Sequence, residues 1–321
     1  MRHIRKVNLA GAAFFTMASL AAGGCSVKTY AINMVGNALA SGDSVYETDD
    51  DLDLVGQALP FGLKLTESLL SQSPQHRGLL LTACRGFTLY SYAYIEYEAS
   101  TISEVDLDRA RALRVRARRM YLRAFGYCIR GLEQSHPGFG AALLANPRTA
   151  TTRITRREKE ATVPLLYWAA ASLGLAVSTA PGDASLLARL PDVNALLDRA
   201  LELNETWQQG SLHEFKVVLA GAVPGEPNVD EIRRHYERAV ALSAGNSASI
   251  HLAYAEATAV PRQDAAAFRR LVQQALDVDI DLEPTHRLAN LIARRRAEWL
   301  LGRVDELILT PVVLEPDGSA K

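Results

Sequence analysis

The chain has little of what usually identifies an enzyme. Its 321 residues include three cysteines and seven histidines, and aromatic residues make up 7% of the sequence. No two histidines stand four residues apart, and no phosphate loop, dinucleotide fingerprint or Gly-x-Ser-x-Gly elbow occurs. The pair His213-Glu214 begins like a zinc-protease helix, but Val217 stands where the second histidine is needed. We therefore expect no catalysis, no metal and no cofactor.

Positive charge is not in excess either. Lysine and arginine together number 35 against 36 acidic residues, and the formal net charge is −1. A nucleic-acid-binding protein needs a basic face or stripe. The composition therefore predicts that nucleic acid is not a partner.

An apolar run at the N terminus ends at a cysteine. Three cations within the first six residues precede the run 7–22, and small residues lead to Cys25. This layout is typical of a lipoprotein signal, and the run is shorter than the ~20 residues that span a membrane. We expect residues 1–24 to be removed, Cys25 to carry the lipid, and the charge to change from −1 to −4. Ser26 favours the outer membrane. The alternative is an ordinary cleaved signal in which Cys25 is incidental.

The other two cysteines, Cys84 and Cys128, fall on predicted helices that could be neighbours. An exported protein could join them in a disulfide. Neither has a second cysteine or a histidine at the spacing of a metal site. The favoured interpretation is two buried free thiols that act as small apolar residues, and the disulfide is the alternative.

The remaining sequence predicts an all-α protein. Continuous β-alternation is absent, and helical periodicity runs through most of the chain. A Gly-, Pro- and Thr-rich segment at 137–160 predicts a loop, and residues 25–52 a lipidated tether. The domain of helices covers 53–308 and a tail follows at 309–321. Helices are predicted at 53–72, 75–99, 104–134, 163–179, 183–189, 191–204, 207–221, 228–244, 247–259, 263–278 and 285–308.

Three of these helices resemble one another. Aligning Ala200, Ala239 and Ala275 gives spacings of 39 and 36 residues, near the 34 of a tetratricopeptide repeat. Each is the second helix of a pair, with alanine where two helices meet closely. The pattern predicts an irregular tetratricopeptide-like array of helical hairpins, an α-solenoid. Such arrays present concave binding surfaces.

Aromatic and polar side chains give the candidate binding residues. Phe87, Tyr90, Tyr94 and Tyr97 form one helical stripe, which indicates a core face or, because tyrosine carries a hydroxyl, a ligand-facing surface. Tyr167-Trp168 favours a core position.

Two polar groups favour local pairing. His213 and Glu214, inside an apolar helix, favour a hydrogen-bonded pair. The polar face of the last long helix favours intrahelical pairing. That face consists of Arg287, Asn290, Arg294 and Glu298.

Several segments together resemble the T-component family of TRAP transporters. The similarity covers roughly residues 50–308, and the segments occur in the same order. Each is weak by itself, but the set is fairly specific. The segments are Gly78–Tyr90 (GLLLTACRGFTLY), Leu165–Gly174 (LLYWAAASLG), Leu201–Trp207 (LELNETW) with Leu212–Phe215 (LHEF), Val260–Asp264 (VPRQD) and Arg287–Leu300 (RLANLIARRRAEWL).

The resemblance implies a periplasm-facing lipoprotein with a helical, tetratricopeptide-like fold. It further implies a homotrimer with a pore or cleft through each subunit. The partner would be the periplasmic solute-binding protein of an ATP-independent transporter, whose ligands are often organic acids. No ligand residue transfers from the family with certainty. Our candidates for contact with ligand or partner are Tyr90, Tyr94, Trp168, Trp207, His213 and Arg287.

Two other functions stay open at this point. A lipid-anchored helical array could instead be an adaptor in outer-membrane assembly. Exported lipoproteins also include hydrolases of envelope polymers, for which His213 and Glu214 are the residues to test. The binding scaffold is the hypothesis that the sequence favours.

Overall fold

The structure, a computed structural model, describes residues 33–38, 45–222 and 228–309. The predicted signal peptide, Cys25 and residues 310–321 of the predicted tail lie outside these ranges. Helices and their connections account for the described residues, and no strand occurs among them. The all-α prediction is confirmed. The tetratricopeptide-like arrangement stays a prediction.

Helices up to residue 222 surround one large apolar core. Its centre is α7, which packs against α4 and α9. Asp51 and Asp106 accept hydrogen bonds from backbone amides in the first turns of α1 and α4, which fixes where those helices begin. The helices are α1 Leu52–Gln72, α2 Arg77–Tyr90, α3 Tyr97–Thr101, α4 Leu107–Glu133, α5 Phe139–Ala145, α6 Pro147–Thr152, α7 Lys159–Ser178, α8 Ala184–Leu187, α9 Leu190–Leu203 and α10 Ser211–Ala222.

The remaining helices build a second apolar core. Phe268, Val272 and Ala297 lie fully buried in it. The helix α11 contacts both α10 and α12, so the two parts of the chain are in contact. The helices are α11 Val229–Leu242, α12 Ala248–Tyr254, α13 Ala265–Leu276, α14 Arg287–Leu301 and α15 Val304–Leu307.

Two long helices contain a π-helical turn. The segment π1, Ser91–Glu96, joins α2 to α3, and π2, Ala255–Ala259, follows α12 without a break. A π-turn widens the helix by about one residue and frequently occurs at functional sites. These two turns supply side chains of the site described below.

Cys84 and Cys128 are joined by a disulfide, which ties α2 to α4. Both cysteines are fully buried in the first core. The favoured free-thiol interpretation was therefore wrong. The periodicity placed both residues on core faces but could not show that α2 and α4 are adjacent at these positions.

The prediction of a loop at 137–160 was also wrong, because this segment contains the helices α5 and α6. Asn146 accepts a hydrogen bond from the amide of Thr149 at 2.9 Å, and Pro147 occupies the first turn of α6. Gly138, with φ of 75°, turns the chain into α5. The Asn-Pro pair is a helix start, whereas the Gly, Pro and Thr content of the segment predicts a loop.

Parts of the predicted tether lie on the helical body. The side chain of Ser73 bonds to Asn33 at 2.8 Å. The amide of Leu288 donates to the Glu47 carbonyl at 3.0 Å. Residues 33–38 therefore contact the end of α1, and residue 47 contacts the start of α14.

One described helical stretch, Arg156–Ser178, is long and apolar enough to cross a membrane. Its most apolar window is 67% buried inside the protein, where it forms the centre of the first core. Burial by neighbouring helices accounts for the apolar composition of this stretch.

Candidate functional site

Three consecutive arginines of α14 bond to three different elements. Successive residues of a helix point about 100° apart, so neighbours on α14 face different surroundings. Arg294 donates to backbone carbonyls at the end of α13. Arg295 donates to the carbonyl of Ala93 in π1. Arg296 lies 2.6 Å from the carboxylate of Glu256 in π2. The helix α14 thus joins the two π-helical turns.

A second carboxylate, Glu96 of π1, faces the same place. It accepts a hydrogen bond from the Tyr121 hydroxyl at 2.5 Å. Burial raises the pKa of Glu96, although the Tyr121 hydrogen bond and the charge of Arg296 oppose the rise. Burial by itself lowers the pKa of Arg296. The nearby negative charges, above all that of Glu256, outweigh burial and raise this pKa above its ordinary value. Arg296 therefore stays a cation.

The polar group continues toward α7 and α10. Burial raises the pKa of Tyr92, Tyr167 and Glu214. Each lies close enough to another to influence its ionisation: Glu214 and Tyr92 act on Tyr167, and Arg296 acts on Tyr92. Burial lowers the pKa of Arg85, which lies close enough to Tyr167 for the two groups to influence each other's ionisation.

We call this set the polar cleft. It consists of Arg85, Tyr92, Glu96, Tyr167, Glu214, Glu256 and Arg296, and each residue is only partly buried. Arg296 and Glu256 keep 28% and 36% of their side-chain surface exposed. A small cavity between π1 and α14 is lined by Tyr92, Glu96 and Arg296, among others. Three of the seven groups therefore border a cavity of about 10 Å³, which is room for roughly one water molecule.

This lining is suited to hydrogen bonding with a polar group. It presents two guanidinium groups, three carboxyl groups and two phenol hydroxyls, which can donate and accept hydrogen bonds. Among the described residues no three His, Cys, Asp or Glu side chains are placed to hold a metal ion.

An aromatic cluster adjoins the cleft at Tyr167. The rings of Trp168, Trp207 and Phe215 lie 5.0, 4.7 and 6.0 Å from the Tyr167 ring, measured between centroids. The structure thus brings together two predicted site residues, Trp168 and Trp207. Both contact Tyr167, for which the sequence favours a core position. Arg85 lies over the Trp168 ring at 6.0 Å.

Tyr90 and Tyr94 lie at a different place, beside α1. Their rings stack at 5.6 Å, and the Tyr94 hydroxyl donates to the Leu52 carbonyl at 2.8 Å. The guanidinium of Arg295 lies 5.5 Å from the Tyr94 ring. Phe87, from the same stripe, is buried in the core. Contact of Tyr90 and Tyr94 with a ligand or partner stays a prediction.

His213 belongs to a third group, away from the cleft. Its Nε2 lies 3.0 Å from the Glu205 carboxylate, and its Nδ1 lies 2.7 Å from Nδ1 of His235. Glu214 instead accepts from Ser247, so the interpretation of His213 and Glu214 as a local pair was wrong. The Arg238 hydrogen bond, followed by that of His213, lowers the pKa of Glu205 to about 2.

Arg287 is bonded to the chain segment that precedes α1. It donates to the Thr48 carbonyl at 3.1 Å and pairs with Asp281 at 2.9 Å. Asn290 bonds to the backbone of residues 246 and 248. With Arg294 bonded to α13, the prediction of intrahelical pairing on α14 was wrong. The long polar side chains of this helix connect it to neighbouring elements.

Sequence reasoning missed five residues of the polar cleft: Arg85, Tyr92, Glu96, Glu256 and Arg296. A signal was present for one of them. Glu256 is the only charged residue in the stretch 252–261, which is otherwise rich in alanine. A carboxylate in such a stretch must have a partner if it is buried.

Comparison with known proteins is consistent with this architecture. A family model described as "TRAP transporter T-component" matches residues 48–308. The chain is also similar to an uncharacterized protein of Treponema pallidum (strain Nichols). The two are 27% identical over 312 residues, which span 92% of this chain and 97% of the relative.

Proposed function

From the premise that the chain belongs to the family of TRAP transporter T-components, we propose that it docks the periplasmic solute-binding protein of a TRAP transporter. A role in a TRAP system follows from the family. The docking, and the passage of a ligand between the two proteins, are our proposal. The polar cleft supports it, because its partly exposed arginine and tyrosine side chains adjoin the aromatic cluster at Tyr167.

The chemistry of the cleft supports an organic acid as ligand. Arginine binds carboxylates in a planar, two-pronged geometry that lysine cannot reproduce. Next to the cleft, Trp168, Trp207 and Phe215 offer apolar surface around Tyr167. A solute with a carboxylate and an apolar part would contact both surfaces.

The proposal includes the location and assembly of the protein. Cys25 would carry the lipid that holds the subunit at the membrane, most simply the outer membrane, with the helical domain in the periplasm. The homotrimer implied by the family belongs to the same proposal.

A deletion strain tests the function. Uptake of a panel of radiolabelled mono- and dicarboxylic acids is measured in cells with and without the gene, alongside entry of an impermeant dye. We expect slower uptake of at least one acid and unchanged dye entry, and restoration of uptake by the wild-type gene.

The opposite pattern would identify the other scaffold function. Unchanged uptake of every acid with increased dye entry would contradict the transport role and favour an envelope-assembly adaptor.

A further inference from the structure

Arg85 of the polar cleft is paired with an acid from outside the cleft. Its guanidinium contacts the carboxylate of Glu47, in the segment that precedes α1. Both are mostly buried, with 30% and 23% of their side-chain surface exposed. Arg85 also lies beside Tyr167 and over the Trp168 ring. Arg85, the cleft arginine beside the aromatic cluster, is thus already paired with a carboxylate.

The segment carrying Glu47 bridges two helices. On one side Glu47 reaches α2 through Arg85. On the other side its carbonyl accepts from the amide of Leu288, and the Thr48 carbonyl accepts from Arg287. Leu288 is in the first turn of α14, where backbone amides have no partner within the helix. We call residues 45–51 the strap.

The strap lies at one end of the polar cleft. On α2 and π1, Tyr92 follows Arg85 by seven residues, about 10 Å along a helix. On α14, Arg296 follows Leu288 by eight residues, about 12 Å. The same two helices meet again where Arg295 bonds to Ala93. The strap therefore crosses between α2 and α14 at a distance of about two helical turns from the innermost charges.

We propose that Arg85 is the carboxylate-binding residue of the cleft, and that Glu47 occupies it until the carboxylate of an organic acid with an apolar part displaces it. This inference rests on the proposed function and assigns a residue to its ligand. The acid's apolar part contacts Trp168 and Tyr167.

Of the two carboxylates paired with cleft arginines, Glu47 is the one that a ligand can displace, because it lies outside the helices. Glu256, the partner of Arg296, is fixed within a helical turn. Glu47 lies in a non-helical turn held by the few backbone hydrogen bonds just described. Displacing its side chain breaks no helix, and a ligand carboxylate restores the charge pairing of Arg85.

Titration calorimetry on the purified full-length lipoprotein tests the proposal, with phenylacetate as probe and phenylacetamide as its uncharged match. Glu47→Gln removes the competing charge and leaves the backbone bonds in place. A ligand need not displace a charged partner in this variant, so we expect it to bind phenylacetate about tenfold more tightly than the wild type, a difference of ~1.4 kcal/mol. Phenylacetamide should bind neither the wild type nor the Glu47→Gln variant.

Three further variants complete the design. Glu98→Gln breaks an exposed pair with Arg109 and should leave the affinity unchanged. Adding Arg85→Gln to Glu47→Gln should abolish binding. If that variant does not fold, Arg85→Lys should still weaken binding about tenfold, because lysine lacks the two-pronged geometry.

Equal phenylacetate affinity in wild type and Glu47→Gln overturns the inference, as does binding that survives loss of Arg85. The same preparations are probed for a co-purified solute-binding protein. Capture of that protein without any effect of Glu47 defeats this inference alone. Failure to capture it counts against the proposed function.

Discussion

The charged groups of the polar cleft hold together because each has a partner. Arg296 is paired with Glu256, and Glu96 accepts from Tyr121. A charge that loses its partner in such a place costs more than the pair contributed, because water does not fully replace the lost contact. These residues are therefore expected to matter for stability as well as for ligand binding.

The first prediction concerns the pair in π2. Glu256→Gln leaves Arg296 without a counter-ion in a partly buried place, so we expect the free energy of unfolding to fall by about 1–2 kcal/mol. Glu98→Gln, at the exposed pair with Arg109, should change it by less than about 0.5 kcal/mol. Urea unfolding at pH 7 measures both. Equal losses in the two variants would show that the π2 pair contributes no more than a surface pair.

The second prediction concerns pH and the contact between His213 and His235. Burial lowers the pKa of both, and the charge of His213 lowers that of His235 further. Below the ordinary histidine value of about 6.5, the unfolded chain therefore binds more protons than the folded one. Above pH 6.5 protonation of these histidines therefore does not reduce the free energy of unfolding. As the pH falls below that value, protonation progressively lowers it.

His235→Gln should reduce that loss. Between pH 7 and 5.5 we expect the stability of the variant to fall by up to about 1 kcal/mol less than that of the wild type. His286→Gln, at the start of α14, is the control. Urea unfolding at three pH values measures the slope, and an unchanged slope in His235→Gln would contradict the account.

At this scale the sequence could predict residue types but not their grouping. Trp168 and Trp207 were chosen as motif aromatics and do meet at Tyr167. Glu96 and Glu256 are 160 residues apart, and no local pattern indicates that both face α14. Their grouping depends on how α2 and α14 lie together, which is tertiary information.

Among the elements, the two π-turns determine what faces the cleft. The Cβ of an alanine at position 221 of α10 would come within 2.6 Å of the Ala257 Cβ and 2.8 Å of its Cα, in π2. Gly221 thus allows α10 to lie directly on this turn. A backbone atom cannot move aside as a flexible side chain can.

The third prediction follows from that contact. Gly221→Ala should lower the free energy of unfolding by about 1–3 kcal/mol, because α10 and π2 must separate. Gly126→Ala is the matched control, since its new methyl group in α4 meets no atom within 4 Å. It should stabilise by roughly 0.5–1 kcal/mol through helix propensity. Thermal unfolding of both distinguishes the cases, and stabilisation by Gly221→Ala would contradict the contact.

The long helices were predictable and the π-turns were not. A prediction of helix at 75–99 is correct for α2, π1 and most of α3, because all share a near-helical apolar period. A π-turn shifts that period by one residue over a single turn, which periodicity cannot resolve. The short helices α5 and α6 were missed because glycine, proline and threonine dominate their surroundings.

For the whole molecule, two apolar cores and the strap are joined around one polar interior. The strap connects α2, in the first core, to α14, in the second. Apart from residues 45–47 of the strap, this arrangement belongs to the part of the chain that the family match covers. The proposed N-terminal anchor at Cys25 lies outside the described residues and is tested separately.

The fourth prediction concerns that anchor. Cys25→Ser removes the only thiol at the expected cleavage site, so the protein should leave the membrane fraction and appear in the soluble periplasm. Ser26→Ala, one residue away, should leave it in the membrane. Fractionation with immunoblotting measures this. Retention of Cys25→Ser in the membrane would contradict lipid anchoring at Cys25.

The central claim is that this protein receives the solute-binding protein of a TRAP transporter. Crosslinking in intact cells, followed by affinity purification of the wild-type protein and mass spectrometry, tests it most directly. The account predicts enrichment of a periplasmic solute-binding protein over a control strain that expresses an unrelated lipoprotein. Enrichment of outer-membrane barrel proteins without any solute-binding protein would contradict it.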